Sequence, residues 1–164
     1  MTDMSQPPVS PIGQPLLRRE DARFLTGAGQ YTDDVVLPGQ TFGHFLRSPH
    51  AHAKIKHIDT SAAKASHGCV AVFTGKDIAA DKVGGLICGW MILNKDGSPM
   101  KAGAHPALAM DTVRYVGDHV AVVIGDTLAE AKDAAEKVVV DYDVLPAVTD
   151  PTKATDAGQP QIHP

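Results

Sequence analysis

The clearest pattern of apolar and polar positions lies in residues 111–146, where successive segments have different periods. Residues 119–124 form an almost continuous apolar run rich in β-branched side chains, which predicts a strand covered on both faces. Gly125 and Asp126 end this strand. Residues 138–144 then alternate with a period of two, which predicts a second strand.

A helix is predicted between these two strands. Thr127, followed three residues later by Glu130, forms a capping box in which the hydroxyl accepts the Glu130 amide proton and the carboxylate reaches back to the Thr127 N–H. Small side chains on one face favour close packing against a sheet, and a crossover between parallel strands would be right-handed. The face expected to be buried contains Leu128, Ala131, Ala134, Ala135 and Val138.

A shorter strand, helix, strand unit precedes the longer one. Residues 41–48 and 54–59 have the alternation of strands, and residues 70–73 form a third strand signal. Residues 61–66 follow a capping residue and predict a short helix. Residues 75–81 predict a turn or a single helical turn, so the elements together indicate an α+β fold.

Residues 84–93 are apolar without a helical or strand period, and residues 94–99 have the composition of a turn that folds this segment back. Such a segment is either a local satellite core or a surface kept for a partner. We expect an interface, because tryptophan and methionine are enriched at interface cores. The expected interface residues are Leu86, Ile87, Trp90, Met91 and Ile92.

The two ends of the chain have no apolar period. Residues 1–11 are polar and rich in proline, which predicts a flexible arm. Residues 149–164 are polar with three prolines, which predicts a linker. The expected organisation is therefore one domain over residues 12–148 between an arm and a linker.

Composition narrows the class of protein. The 164 residues are enough for a core, and a formal charge of -4 with a pI of about 6.0 provides no basic field for nucleic acid. The first residues lack the pattern of a signal peptide, and nowhere do about 18 apolar residues follow one another. We therefore expect a cytoplasmic protein that binds neither nucleic acid nor membrane.

Two cysteines, Cys69 and Cys88, exclude a dense disulfide scaffold and any four-cysteine metal site, so buried free thiols are expected. Gly27-x-Gly29 could begin a dinucleotide loop, but no apolar strand precedes it and the third glycine is missing. A small hydrolase is a further alternative, although no nucleophile motif such as G-x-S-x-G supports it.

Two groups of side chains could bind a metal ion. The paired carboxylates of Asp33 and Asp34 could hold a divalent cation, although such pairs more often form turns. His50 and His52 would share one face of a strand at the distance of metal ligands, but spacing assigns no third ligand. Ordinary hydrogen-bonded or exposed histidines are the simpler interpretation.

Three stretches together resemble one known family. They are Arg18 and Asp21 leading to LTGAGQYTDD at residues 25–34, RSPHAHAKI at 47–55 with IDT at 58–60, and VRYVGDHVA at 113–121 continuing through Asp141 and Tyr142 to Leu145 and Pro146. The chain is similar here to the large molybdenum-binding subunit of the xanthine dehydrogenase, aldehyde oxidase and aerobic carbon monoxide dehydrogenase enzymes. Residues 83–104 contain no motif of that family.

The resemblance implies an α/β hammerhead domain, with a small mixed sheet, one main helix and one short covering helix. It implies the scaffold and interface part of a molybdenum hydroxylase, which oxidises a small substrate with oxygen derived from water. No catalytic, cofactor-binding or metal-binding residue is carried over to this chain, and the chain by itself is expected to be inactive. His50 and His52 match a stretch that is structural in the family.

The same resemblance implies partners and cofactors for the assembled enzyme. The partners would be the molybdenum-binding remainder of the large subunit, an iron–sulfur subunit and a flavin subunit. These would carry the molybdopterin cofactor, [2Fe-2S] clusters and FAD. The main rival is an autonomous interaction or metal-handling module on the same fold, using His50, His52 and the Asp33–Asp34 pair. The sequence leaves open whether the chain is a natural split subunit or a fragment.

Overall fold

The computed structural model describes residues 12, 13, 15 and 17–163. The flexible arm expected at residues 1–11 lies outside these residues. The chain divides into two compact units, Met1–Gly39 and Gln40–Pro164. The expected boundaries of a domain at 12–148 and a linker at 149–164 stay a prediction.

The described part of the first unit contains one short α-helix, α1 (Asp21–Leu25), which the sequence did not predict, and the 3₁₀ turn Thr32–Asp34. Gly27 follows it with φ +73°, a left-handed conformation that glycine adopts readily after a helix. The ring of Phe24 stacks on Tyr31 with centroids 5.4 Å apart and occupies the space that a Cβ at Gly29 would need. Both glycines therefore serve this local turn, which is not the strand-to-helix loop of a dinucleotide site.

The second unit holds all the strands found among the described residues. The predicted elements occur there in the expected order, together with a two-residue strand at Thr112–Val113 that the sequence did not predict. Within residues 75–81, where a turn was one possibility, Gly75–Ala80 form a six-residue helix. The elements are β1 (Phe42–Arg47), β2 (Ala53–Asp59), α2 (Ser61–Lys64), β3 (Cys69–Thr74), α3 (Gly75–Ala80), β4 (Thr112–Val113), β5 (His119–Gly125), α4 (Leu128–Ala135) and β6 (Val139–Val144).

The strands form two three-stranded sheets, with the orders β1-β5-β3 and β4-β2-β6. Every pairing is antiparallel. The α+β class is confirmed, but two antiparallel sheets stand where the sequence predicts one small mixed sheet. The reason is that β5 and β6, on either side of α4, belong to different sheets, so α4 is not a crossover between paired parallel strands.

Helix α4 packs on the first sheet through its alanine face, as predicted. Ala131 and Ala134 are fully buried, and the helix approaches so closely that a Cβ on Gly125 would lie 2.7 Å from the Ala131 backbone nitrogen. Leu128, expected in this face, is exposed. Since Gly125, the last residue of β5, lies against Ala131, the first turn of α4 extends beyond the end of the strand.

The part of the predicted capping box made by the Thr127 hydroxyl is confirmed. The Thr127 hydroxyl accepts a hydrogen bond from the Glu130 amide at 3.2 Å and donates one to the Glu130 carboxylate at 2.8 Å. His67 Nδ1 lies 3.0 Å from the same carboxylate. Hydrogen bonding, first from Thr127 and then from His67, holds the pKa of Glu130 below its ordinary value.

A smaller core joins Ala53 and Val113 of the second sheet to Val120 of β5 in the first sheet, and all three are fully buried. Strand β6 alternates between half-buried and exposed side chains as predicted, except that Val144 is exposed at the end of the strand. The expectation of buried thiols is wrong for Cys88, which is exposed because residues 83–92 belong to no helix or strand.

Candidate functional site

An exposed apolar segment is the most unusual feature of the described surface. Trp90 is 79% exposed and Ile87 93% exposed, so the satellite-core alternative does not describe these residues. A monomer surface usually places polar side chains at such positions. The apolar segment, as we call it, comprises the predicted interface residues Leu86, Ile87, Trp90, Met91 and Ile92.

The backbone of the apolar segment is held at both ends. The Leu86 amide donates to the His105 carbonyl at 2.7 Å, and the Met100 amide donates to the Ile92 carbonyl at 2.9 Å. An antiparallel bridge joins Leu93 to Pro99. The segment is therefore fixed to its neighbours in the chain although its side chains are uncovered.

The predicted turn at residues 94–99 closes this bridge. The Ser98 amide and hydroxyl both donate to Asp96 Oδ1, at 2.9 and 2.6 Å. These bonds, the hydroxyl first, hold the pKa of Asp96 below its ordinary value. Asn94 Nδ2 donates to Ser98 Oγ at 3.0 Å, so the side chains of the turn stabilise one another. The turn that the sequence predicts is confirmed.

A second apolar surface lies on the face of the first sheet opposite α4. Phe45, Val122 and Phe73 are cross-strand partners in one row across β1, β5 and β3. Gly43 and Ile124 pair in the next row, where the glycine contributes no side chain and Ile124 is half-buried. We call Phe45, Phe73, Val122 and Ile124 the outer sheet face. An antiparallel sheet with one solvated face usually carries polar residues there, so this face has the character of an interface.

The two surfaces meet in an apolar groove of about 360 Å³. Leu86 of the apolar segment and Phe45 of the outer sheet face both line it. The His119 ring stacks on Phe45 with centroids 4.6 Å apart, and its Nε2 atom is buried without a hydrogen-bond partner in the described part of the chain. The apolar segment therefore meets the outer sheet face at Leu86.

The histidine pair does not form a metal site in this structure. His50 and His52 lie in a bend before β2 rather than on the strand. His50 contacts Tyr142 edge-on at 4.9 Å, and His52 Nδ1 lies 2.8 Å from the Pro146 carbonyl. Burial raises the pKa of Tyr142, while a hydrogen bond to Ser48 opposes that rise. These contacts give both histidines a packing role.

The acidic pair also has a local role. The Asp34 carboxylate accepts a hydrogen bond from the Tyr31 amide at 2.9 Å and caps the 3₁₀ turn Thr32–Asp34. Within residues 12, 13, 15 and 17–163, no three His, Cys, Asp or Glu side chains are grouped as metal ligands would be. In the same part of the chain, no helix is long and apolar enough to cross a membrane.

The protein is a small α+β domain with two antiparallel sheets, one of which is covered by the alanine face of α4. The apolar segment and the outer sheet face lie on its surface. The sequence matches the family described as "Aldehyde oxidase and xanthine dehydrogenase, a/b hammerhead domain" over residues 26–146. The chain belongs to this family.

Relatives agree with that assignment. The carbon monoxide dehydrogenase large chain of Afipia carboxidovorans is 44% identical over 147 residues, which are 89% of this chain and 17% of the relative. A xanthine dehydrogenase of Oryza sativa subsp. japonica is 34% identical over 93% of this chain and 10% of its own length. A crystal structure of quinoline 2-oxidoreductase from Pseudomonas putida 86 has a TM-score of 0.78 and 40% identity, covering 86% of this chain and 17% of that one. The chain thus spans less than a fifth of the length of these relatives.

Sequence reasoning located the apolar segment but missed the outer sheet face. The signal was available in part, because residues 119–124 are apolar at every position after the histidine, as expected for a strand covered on both faces. One cover is α4. The described residues cover the other face only in part, since Val120 is buried while Val122 and Ile124 are half-buried. Only the register of the strands brings Phe45 and Phe73 beside Val122.

Proposed function

We propose that this chain is the hammerhead part of a molybdenum hydroxylase, in which it supplies scaffold and interface while the chemistry takes place elsewhere. The enzyme would oxidise a small substrate with oxygen from water and pass electrons through [2Fe-2S] clusters to FAD. The observation that carries the proposal is the family match over residues 26–146 combined with coverage of only 17% of the carbon monoxide dehydrogenase large chain.

The shape of the surface supports an assembly role. The apolar segment and the outer sheet face meet in the groove at Leu86 and Phe45. Interface cores are depleted of charge and enriched in aromatic residues and methionine, and the apolar segment has this composition. The partners proposed for this surface are the molybdenum-binding remainder of the large subunit, an iron–sulfur subunit and a flavin subunit.

The names of the relatives fit such an assembly. They include a large chain of carbon monoxide dehydrogenase and subunit gamma of a 6-hydroxypseudooxynicotine dehydrogenase complex. Those words describe multi-subunit proteins, and this chain would contribute one part of a comparable enzyme. Its molybdopterin cofactor, iron–sulfur clusters and FAD would be bound outside the 164 residues.

Purification of the tagged chain from its source cells, with partner chains identified by mass, tests the proposal. We expect partners carrying molybdenum, iron and flavin, seen by elemental analysis and the visible spectrum of the complex. The isolated chain serves as control and should show none of these absorptions. Stoichiometric metal on the isolated chain, or a complex free of molybdenum and flavin, would contradict the proposal and favour an independent module.

A further inference from the structure

A cavity of about 120 Å³ with a mixed polar and apolar lining lies in the second unit, and its lining residues differ from those of the apolar groove. Its polar lining combines the Arg114 guanidinium, the imidazoles of His105 and His163, and the hydroxyl-bearing Thr112 and Tyr115. Asp118 is the only carboxylate among the lining residues. The cavity therefore concentrates hydrogen-bond donors in a chain whose overall charge is negative.

Arg114 has donor capacity that the described residues leave unused. Its Nε donates to the Ile162 carbonyl at 3.2 Å, and its Nη1 donates to the Thr112 carbonyl at 3.3 Å. A guanidinium has five N–H donors, so these two bonds leave three. The ion pairs found in the described part of the chain do not include Arg114. Two carbonyls fix the guanidinium in place without neutralising its charge.

Asp118 is already engaged by its neighbours. Its Oδ2 accepts a hydrogen bond from the Arg114 backbone amide at 3.0 Å. Burial, followed by the charge of Asp118 and a hydrogen bond to it, raises the pKa of Tyr115, so the phenol stays protonated and donates its proton to that carboxylate. The carboxylate is therefore occupied by the loop from Arg114 to Asp118 and does not form a salt bridge with the guanidinium.

The donor set favours an anion over a metal ion. A cation would need several oxygen, nitrogen or sulfur ligands, and no group of three such side chains is present among the described residues. Arginine offers donors only, and a planar guanidinium with free N–H groups matches an oxyanion. The volume of about 120 Å³ suits a group of phosphate or carboxylate size.

We propose that this cavity binds a small oxyanion, a phosphate or a carboxylate, with Arg114 as its main ligand and His105 and His163 as further donors. The inference does not depend on the proposed function, because it uses only the cavity and its donors. Arg114 binds the segment at Ile162 from the same position, so the oxyanion would lie beside the place where residues 161–163 pass over the domain.

Titration of the ¹⁵N-labelled 164-residue chain with inorganic phosphate, at constant ionic strength set by sodium chloride, tests the site. We expect saturable amide shifts confined to residues 103–118 and 161–163, and a parallel titration with acetate separates the two classes of oxyanion. Arg114→Gln should weaken binding about tenfold or more, since hydrogen bonds to a charged group are lost. Asp118→Asn, whose amide oxygen can still accept from the Arg114 amide, should tighten binding by removing a negative charge from the lining.

Lys101→Gln is the matched control, because it removes one positive charge from a residue that does not line this cavity. It should change the affinity less than twofold. Equal losses in Lys101→Gln and Arg114→Gln, or shifts that do not saturate, would overturn the proposal. If Arg114→Gln does not fold, His163→Gln replaces it, and unchanged affinity in that variant would likewise count against the site.

Discussion

The contact between Gly125 and helix α4 provides the sharpest test of the packing. Gly125→Ala would place a Cβ 2.7 Å from the Ala131 nitrogen, 3.0 Å from its Cα and 3.1 Å from its Cβ. Two of these three are backbone atoms of a helix and cannot rotate away, so the helix must move from the sheet by roughly 1 Å to reach ordinary contact. Overpacking of this kind costs about 1 to 3 kcal/mol.

Gly43→Ala is a matched control on the neighbouring strand. Its Cβ would meet only Ile124 Cδ1 at 3.6 Å and Val122 Cγ2 at 3.8 Å, which are ordinary contacts. Neither Gly43 nor Gly125 has a positive φ. Gly43→Ala should therefore be neutral, or should stabilise the chain by about 0.4 to 1 kcal/mol because alanine lowers the conformational entropy of the unfolded chain. Gly125→Ala is therefore expected to be less stable than Gly43→Ala.

Urea unfolding followed by circular dichroism measures both variants, with the midpoint read at unchanged slope. For a chain of this size about 1 kcal/mol corresponds to about 2 to 4 °C in Tm, so thermal unfolding provides a second measure. Equal midpoints for Gly125→Ala and Gly43→Ala would show that α4 does not lie against β5 as described. A midpoint for Gly125→Ala above that of the wild type would have the same meaning.

Three further predictions follow from the contacts above. Ala134→Leu should lower the free energy of unfolding, measured by urea unfolding, by about 1 to 3 kcal/mol. Lys132→Leu on the exposed face should change it by about 0.5 kcal/mol or less. Equal effects would mean that the other face of α4 is buried. Trp90→Ala should leave the unfolding midpoint of the isolated chain nearly unchanged and weaken association with the molybdenum-binding partner by about 2 kcal/mol or more; a large loss of stability would show that Trp90 is core. The pKa of Glu130 is lower in the folded chain than its ordinary value of 4.5. The Glu130 carboxylate therefore stabilises the fold at pH values above 4.5, and this stabilisation is lost as the pH falls through the folded pKa. Glu130→Gln should therefore flatten the acid side of the stability profile measured by urea unfolding, and an unchanged profile would contradict the pKa shift.

Local elements of this fold were predictable because their causes are local. The capping box at Thr127 and the alanine spacing after it predict α4 by themselves. Helix α1 was missed because it is one exposed turn without an apolar period, so nothing in the hydrophobic pattern marks it. The exposure of Leu128 depends on where β5 ends, which the helix sequence alone does not contain.

Pairing between distant strands was the part that the sequence could not supply. Periodicity shows that β5 and β6 are strands, but their assignment to different sheets depends on which partners lie nearest in three dimensions. The same limit applies to the candidate surfaces. The apolar segment is continuous in sequence and could be found from it. The outer sheet face joins residues of β1, β3 and β5, which are distant in sequence.

The interleaved order of the strands has a consequence for how this domain can be inherited and synthesised. Each sheet takes strands from both sides of residues 60–111, so a cut anywhere in that interval leaves both sheets incomplete. Neither half could therefore be exchanged between genes as a unit that folds by itself. During synthesis on the ribosome, neither sheet is complete until β5 has emerged. Residues 83–104 contribute no strand to either sheet, so this is the interval in which the chain can change in length and composition while both sheets keep their register.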